Sequence, residues 1–212
     1  MVTTLVLTRK PNYPFQSTEF PKQHGRFGTL IVLSGSKVKA VQVVPGAGAP
    51  SGAISVPDGV LDPTTVDGGD VREIKRYTTI ERMDNMIQLA PQEHIGINNS
   101  NTYKGELYRV GPFGLSFEPN NSAVLHLKTA LKSNPRLYAK ANGNCFRVQG
   151  GLRAKERAIL IHAAPHVGWL TGCIGPRRWK DMSTNSTETC FDAMRELVAI
   201  GPRPSELFVV DW

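Results

Sequence analysis

The chain lacks the marks of several large protein classes. Three cysteines in 212 residues are too few for a disulfide framework, and cytosolic synthesis argues against pairing them. With no CxxC pair and no His/Cys ladder, structural zinc is not expected. No stretch approaches the roughly 20 apolar residues that cross a bilayer, so no membrane span is expected. Residues Met1 to Lys10 hold only the short apolar run Val2–Leu7, without a preceding basic region or a small-residue cleavage site. They read as a first β-strand rather than a signal peptide. Synthesis in the cytoplasm is therefore expected, and action elsewhere requires a carrier other than a cleaved leader. Aromatic platforms interleaved with basic residues are missing, as are helix-turn-helix, zinc-finger and RNA-recognition signatures, which ranks nucleic acid low among partners.

Glycine and proline are abundant. Gly 20 and Pro 15 favour short strands joined by turns, and a 40% hydrophobic content is enough to bury a core. Thr3–Thr8 reads as a strand and Pro11–Gly25 as a Pro-rich connection. Gly28–Leu33 and Lys37–Val44 flank Ser34-Gly35-Ser36 and predict a tight hairpin. Pro45–Gly52 reads as a loop, and Val56-Pro57-Asp58-Gly59 as a turn. Val71–Thr79 alternates weakly, Glu106–Val110 and Phe113–Glu118 suggest another hairpin, and Val124–Leu131 fits helix or strand. One domain over 1–212 is expected, with a decorated middle at about 77–150. Towards the C-terminus, Arg157–His162 predicts a buried strand ending at His162, and Ala163–Gly175 a Gly-punctuated loop. Ser186 stands where it can cap a helix from Thr187 to about Ile200. Phe191, Met194, Leu197 and Val198 repeat there at helical spacing, Gly201-Pro202 stops the helix, and Glu206–Val210 closes with a core strand.

Chemistry concentrates in that last segment. Cys173 follows His162 by eleven positions, and a loop folding back could bring thiol and imidazole together. A nucleophilic thiol needs a base in reach and donors aimed at the developing oxyanion. Gly172 lets backbone approach a substrate, and N–H groups near Gly172 and Cys173 could serve as donors. His166, after Pro165, could be a second base or an orienter, or simply solvated. The plainer alternative makes Cys173 a small buried hydrophobe and His162 a hydrogen-bonded strand end. Cys190 falls on the apolar side of the last helix, and Cys145 follows an Asn-Gly-Asn turn.

Ile159-Leu160-Ile161-His162, then Thr171-Gly172-Cys173-Ile174, an amphipathic helix and a Val-rich strand together resemble the C-terminal half of L,D-transpeptidase (YkuD-like) domains. The resemblance is closer still to a domain-of-unknown-function family of prophages and bacterial effector loci, with an Ile-His strand end and a Gly-Cys-Ile loop. Gly28-Thr29-Leu30 and Val56-Pro57-Asp58-Gly59 match the opening hairpin and turn of that family. Thr171, Ala163 and Gly175 depart from the transpeptidase pattern. The resemblance implies a mainly-β α+β fold, a sheet-rich sandwich with a C-terminal helix. It implies Cys173 as nucleophile and His162 as base acting on peptidoglycan stem peptides, with no cofactor. It also implies a place in the cell envelope or a phage particle, with virion or secretion-apparatus proteins as partners. A non-catalytic structural or adaptor component of a virion or injection machine is the alternative.

The net charge of +7 is unevenly spread. Between Lys128 and Lys180 eleven basic residues face the single acid Glu156, while six acids and two arginines follow from Asp181 onward. A positive field around Cys173 favours its thiolate and attracts anionic polymers. Arg177 and Arg178 are the expected contacts for the carboxylates of a stem-peptide substrate, and Thr171, earlier in the same segment, is a further expected substrate contact.

Overall fold

β-branched and leucine-rich runs dictate most of the strands, and their pairing is what brings the C-terminal chemistry together. The computed structural model describes residues 1–16, 24–45, 53–57, 59–82, 112–149, 159–170 and 172–211. Its strands are β1 Val2–Gln16, β2 His24–Gly35, β3 Val38–Pro45, β4 Ile54–Val56, β5 Gly59–Thr65, β6 Val71–Arg82, β7 Phe113–Glu118, β8 Cys145–Gln149, β9 Leu160–Ile161, β10 Gly175–Arg178 and β11 Glu206–Asp211. The helices are α1 Ser122–Ala130, α2 Pro135–Lys140 and α3 Thr187–Ala199, with a 3-10 turn at Val167–Trp169. The fold is therefore α+β and mainly β. Among the described residues, no helix is long and apolar enough to cross a membrane.

Eight strands form one sheet in the order β10-β6-β2-β1-β11-β7-β8-β9, and β3-β5-β4 form a second. The large sheet nearly closes on itself. Ile161 at the end of β9 bridges in parallel to Ile174, the residue just before β10 at the opposite edge. Two backbone bonds make that seam: His162 N donates to Ile174 O at 3.1 Å, and Ile174 N to Leu160 O at 2.9 Å. Leu5, Leu7, Leu30, Val32, Phe146, Ile161, Ile174 and Val209 fill the inner face, joined by Cys190, Met194 and Leu197 of α3. Val6, Ile31, Leu33, Phe208 and Val210 point the other way and pack against the small sheet.

The segment Ser34-Gly35-Ser36 does not close a hairpin. Both edges of β2 are occupied, by β1 and β6, so β3 has no free edge there and crosses to pair with β5. Gly35 makes that corner possible: its φ is +150°, and a Cβ would fall 2.2 Å from the Asp70 carbonyl oxygen. The turn at Val56–Gly59 is present as β4 and β5 paired Val56 to Gly59. β1 extends beyond its expected end into the Pro-rich connection, with a register break between Arg9 and Pro14. Val124–Leu131, open between helix and strand, is mostly α1: Asn121 Oδ1 accepts from Ala123 N at 2.9 Å, and Val124 and Leu127 face inward. Ser186 precedes α3, but its hydroxyl turns to Asp181 and Thr189 instead of the helix backbone. Residues 83–111 of the decorated middle, Glu106–Val110 among them, and Arg157 and Ala158 lie outside the described residues.

Where the inner face of β1, β2 and β6 continues past its apolar rows, Arg9, Arg26 and Glu81 are buried together. Arg9 Nη1 donates to Glu81 Oε1 at 3.3 Å, and Arg26 Nε to Oε2 at 3.2 Å. Removing one partner of a buried ion pair strands the other charge in low dielectric. Glu81→Ala is expected to lower unfolding free energy by about 3–5 kcal/mol in urea titrations, whereas a loss below about 1 kcal/mol contradicts this role for the cluster.

Candidate active site

The seam that closes the sheet also sets His162 and Cys173 on one face. Side chains alternate along strands, and Ile161 and Ile174 both point inward, so Leu160, His162 and Cys173 share the outer face. Leu160 N donates to Cys173 Sγ at 3.4 Å, which fixes their adjacency across the seam. Cys173 thus stands opposite Leu160, with His162 two residues further along the same face. Gly172, with φ +86°, takes the left-handed conformation that returns the chain to the sheet at Ile174.

His162 is 5% exposed. Burial pushes its imidazole below the ordinary pKa, against the smaller upward pull of the Ala163 carbonyl, so the ring is neutral at pH 7. A carbonyl only accepts, so the 2.9 Å contact between Nδ1 and Ala163 O places the proton on Nδ1 and the lone pair on Nε2. Neutral, with one nitrogen anchored and the other basic, is the state a general base requires.

Cys173 is 8% exposed. It belongs to one buried cluster with Ile80, Leu160, Ala164, Val167 and Leu170, and with Val124 and Leu127 of α1. The other thiols differ in kind. Continuing the β8–β9 register brings Cys145 abreast of His162 on the same outer face, so the imidazole has a cysteine on either side. Burial, then the Glu118 charge, pushes the Cys145 thiol up to about 12, and its Sγ donates to Glu118 O at 3.8 Å. Burial also raises Cys190 to about 12. Cys173 Sγ accepts a backbone N–H, whereas Cys145 Sγ gives its proton to a carbonyl.

His166 is tied into the loop. Its Nδ1 lies 3.1 Å from Gly168 N and its Nε2 2.8 Å from the Trp169 indole N–H; a neutral imidazole accepts only one of these at a time. The Trp169 ring stacks on His126 of α1 at 5.6 Å, joining the 3-10 turn to the helix above Cys173. Neither aromatic partner was legible beforehand, because His126 lies in the segment that fitted helix or strand equally well.

The two arginines part company. Arg177 is wholly buried, with Nη2 donating to Pro165 O at 2.6 Å and Nη1 to Ser183 O. It braces the loops on either side of β10, in place of the substrate contact expected of it. Arg178 is exposed at the surface, where Nη2 donates to Asp192 Oδ2 at 2.7 Å. Thr171 lies outside the described residues. No group of three metal-ligating side chains occurs among the described residues. No family model, curated protein or solved structure matches the chain.

Two outcomes follow. Iodoacetamide labelling of the native protein, read by peptide mass, is expected to modify Cys173 well ahead of Cys145 and Cys190; equal rates for all three would mean that labelling waits on global unfolding. His162, depressed when folded, resists a proton that the unfolded chain accepts below about pH 6.5. Stability is therefore full above that pH and falls on the acid side, by at most about 1.4 kcal/mol per pH unit for this group. His162→Phe is expected to flatten the slope between about pH 6.5 and 4.5 in urea melts, and an unchanged slope refutes the assignment.

Proposed function

We propose that this chain is a cysteine-dependent acyltransferase or peptidase acting on peptidoglycan stem peptides, built on an L,D-transpeptidase-like fold. On this reading it is phage- or effector-associated, and it acts in the cell envelope or from a phage particle. One arrangement carries the reading: a sulfur receiving a backbone N–H, on one face with a neutral imidazole whose Nδ1 is pinned by Ala163 O.

The Cys173 proton passes to His162 Nε2, and the thiolate attacks a stem-peptide carbonyl to give a tetrahedral oxyanion. Its collapse breaks the C–N bond, and the imidazolium returns the proton to the leaving amine. Water or an acceptor amine then opens the thioester, again losing its proton to His162. Arg178, exposed, can exchange Asp192 for a substrate carboxylate. Because the sulfur is buried, this sequence needs local opening before a carbonyl can arrive.

That covering favours a second reading. A Cys–His pair sealed to this degree also suits a structural or adaptor component of a virion or injection machine that keeps the fold without chemistry. Purified sacculi separate the two. The native protein is expected to release or exchange muropeptides, with Cys173→Ala inactive and His162→Gln reduced at least a hundredfold. Native and Cys173→Ala proteins that are equally inert, both correctly folded, would select the structural reading.

A further inference from the structure

The connection between β9 and β10 holds an imidazole with a hydrogen-bond donor against each of its nitrogens. Gly168 N–H points at His166 Nδ1 over 3.1 Å, and the Trp169 indole N–H at Nε2 over 2.8 Å. His166 stands at the start of the 3-10 turn, so both contacts fold the turn back on the residue that opens it. A neutral imidazole has one lone pair to give and keeps one of the two bonds in either tautomer. An imidazolium has none: both nitrogens carry protons, and each then confronts an N–H. The turn in this conformation therefore fits the neutral ring and opposes the charged one.

The same turn contributes to the buried cluster that contains Cys173. Val167 and Leu170 are wholly buried in that cluster, and Trp169 packs against it. A Cβ on Gly25 would fall 2.5 Å from Val167 Cγ1, so the turn lies directly on β2. Two backbone bonds close it: Trp169 N donates to His166 O at 3.2 Å, and Leu170 N to Val167 O at 3.0 Å. Three neighbouring elements bring charged or titratable groups to this loop. His126 of α1 stacks on the Trp169 ring, Arg82 of β6 stands abreast of Gly25, and Arg177 of β10 donates to Pro165 O. A charged His126 is drawn to the indole face, the opposite sense to His166, so variants separate the two histidines.

We propose that His166 is a pH-sensitive latch on access to Cys173. Neutral, it holds the 3-10 turn closed; protonated, it lets the turn lift away from the cluster around the sulfur. Only the consequence for catalysis rests on the acyl-transfer reading, since opening of the turn does not depend on it.

Two readouts, neither of them activity, test the latch in the full chain. The first is the indole N–H resonance of Trp169, assigned with Trp169→Phe and followed from about pH 8 to about pH 5. A titration step is expected. It is absent in His166→Gln, whose amide oxygen accepts at any pH, and retained in His126→Phe, which keeps a ring on the indole. The second is labelling by dithiodipyridine, read by peptide mass as Cys173 relative to Cys190. That ratio is expected to rise about tenfold over the same range and to stay flat in His166→Gln. Global unfolding drives the ratio towards unity instead, because it exposes both thiols. Where His166→Gln folds poorly, His166→Asn, which supplies an oxygen for Gly168 N, takes its place. A rise that survives in these variants, an indole step lost in His126→Phe, or no pH dependence at all would each overturn the latch. A working latch over a sulfur inert in sacculi removes the enzyme and keeps the latch. Sulfur chemistry with a flat ratio does the reverse.

Discussion

Two backbone hydrogen bonds around Ile174 hold the architecture and the candidate chemistry in common. They join the last strand of the large sheet to the residue that starts its opposite edge, turning an open eight-strand sheet into a near-barrel. Closure pairs the N–H and C=O groups at the meeting of two short edge strands. The same register decides which side chains are neighbours. A slip of one residue would send Cys173 to the inner face among leucines and turn Ile174 outward. Gly172 in its left-handed conformation is what lets the loop arrive in that register.

Closure also explains why the sulfur is covered. The outer face beside the seam is apolar, and the chain covers it with two modest pieces, a nine-residue helix and a single 3-10 turn. α1 buries only Val124 and Leu127, worth roughly 1.5–3 kcal/mol apiece at full burial. The strands beneath bury whole rows of such residues. Local opening of the cover is therefore much cheaper than opening the barrel, and the His126–Trp169 stack is where the two pieces hold each other.

Local patterns were readable and distant pairings were not. Periodicity placed α3, its stop at Gly201, the strands β1 and β11, and the inward face of Phe191, Met194 and Leu197, because those depend on neighbours within a turn or two. The β2–β3 hairpin failed because strand partners are chosen by free edges across the whole sheet. Gly35 looks the same in a hairpin as at a corner between sheets. Cys173 and His162 could be named from spacing and resemblance, but their shared face follows from a parallel bridge with no local signature. The Ala163 carbonyl and the Leu160 N–H are backbone groups, which any residue supplies. Arg177 escaped for the same reason: both its acceptors are main-chain oxygens, of Pro165 and Ser183.

Charge shows how folding rewrites a linear pattern. Along the chain the basic block and the acidic tail are separate, which suggests a strong positive field around Cys173. In three dimensions α3 lays its acids into the basic block. Asp192 takes Lys140, Arg178 and Arg195, and Glu188 takes Arg136 and Lys140. The Lys140 ammonium, first, and then the two arginine charges hold the Asp192 carboxyl below its usual range despite burial, so this knot keeps its charge down to acid pH. Glu118 claims Arg147 on the outer face. Arg177 is left with main-chain carbonyls and sealed from water. The linear surplus around Cys173 is therefore partly cancelled within the fold, and the pull of what remains on any polyanion falls steeply with salt.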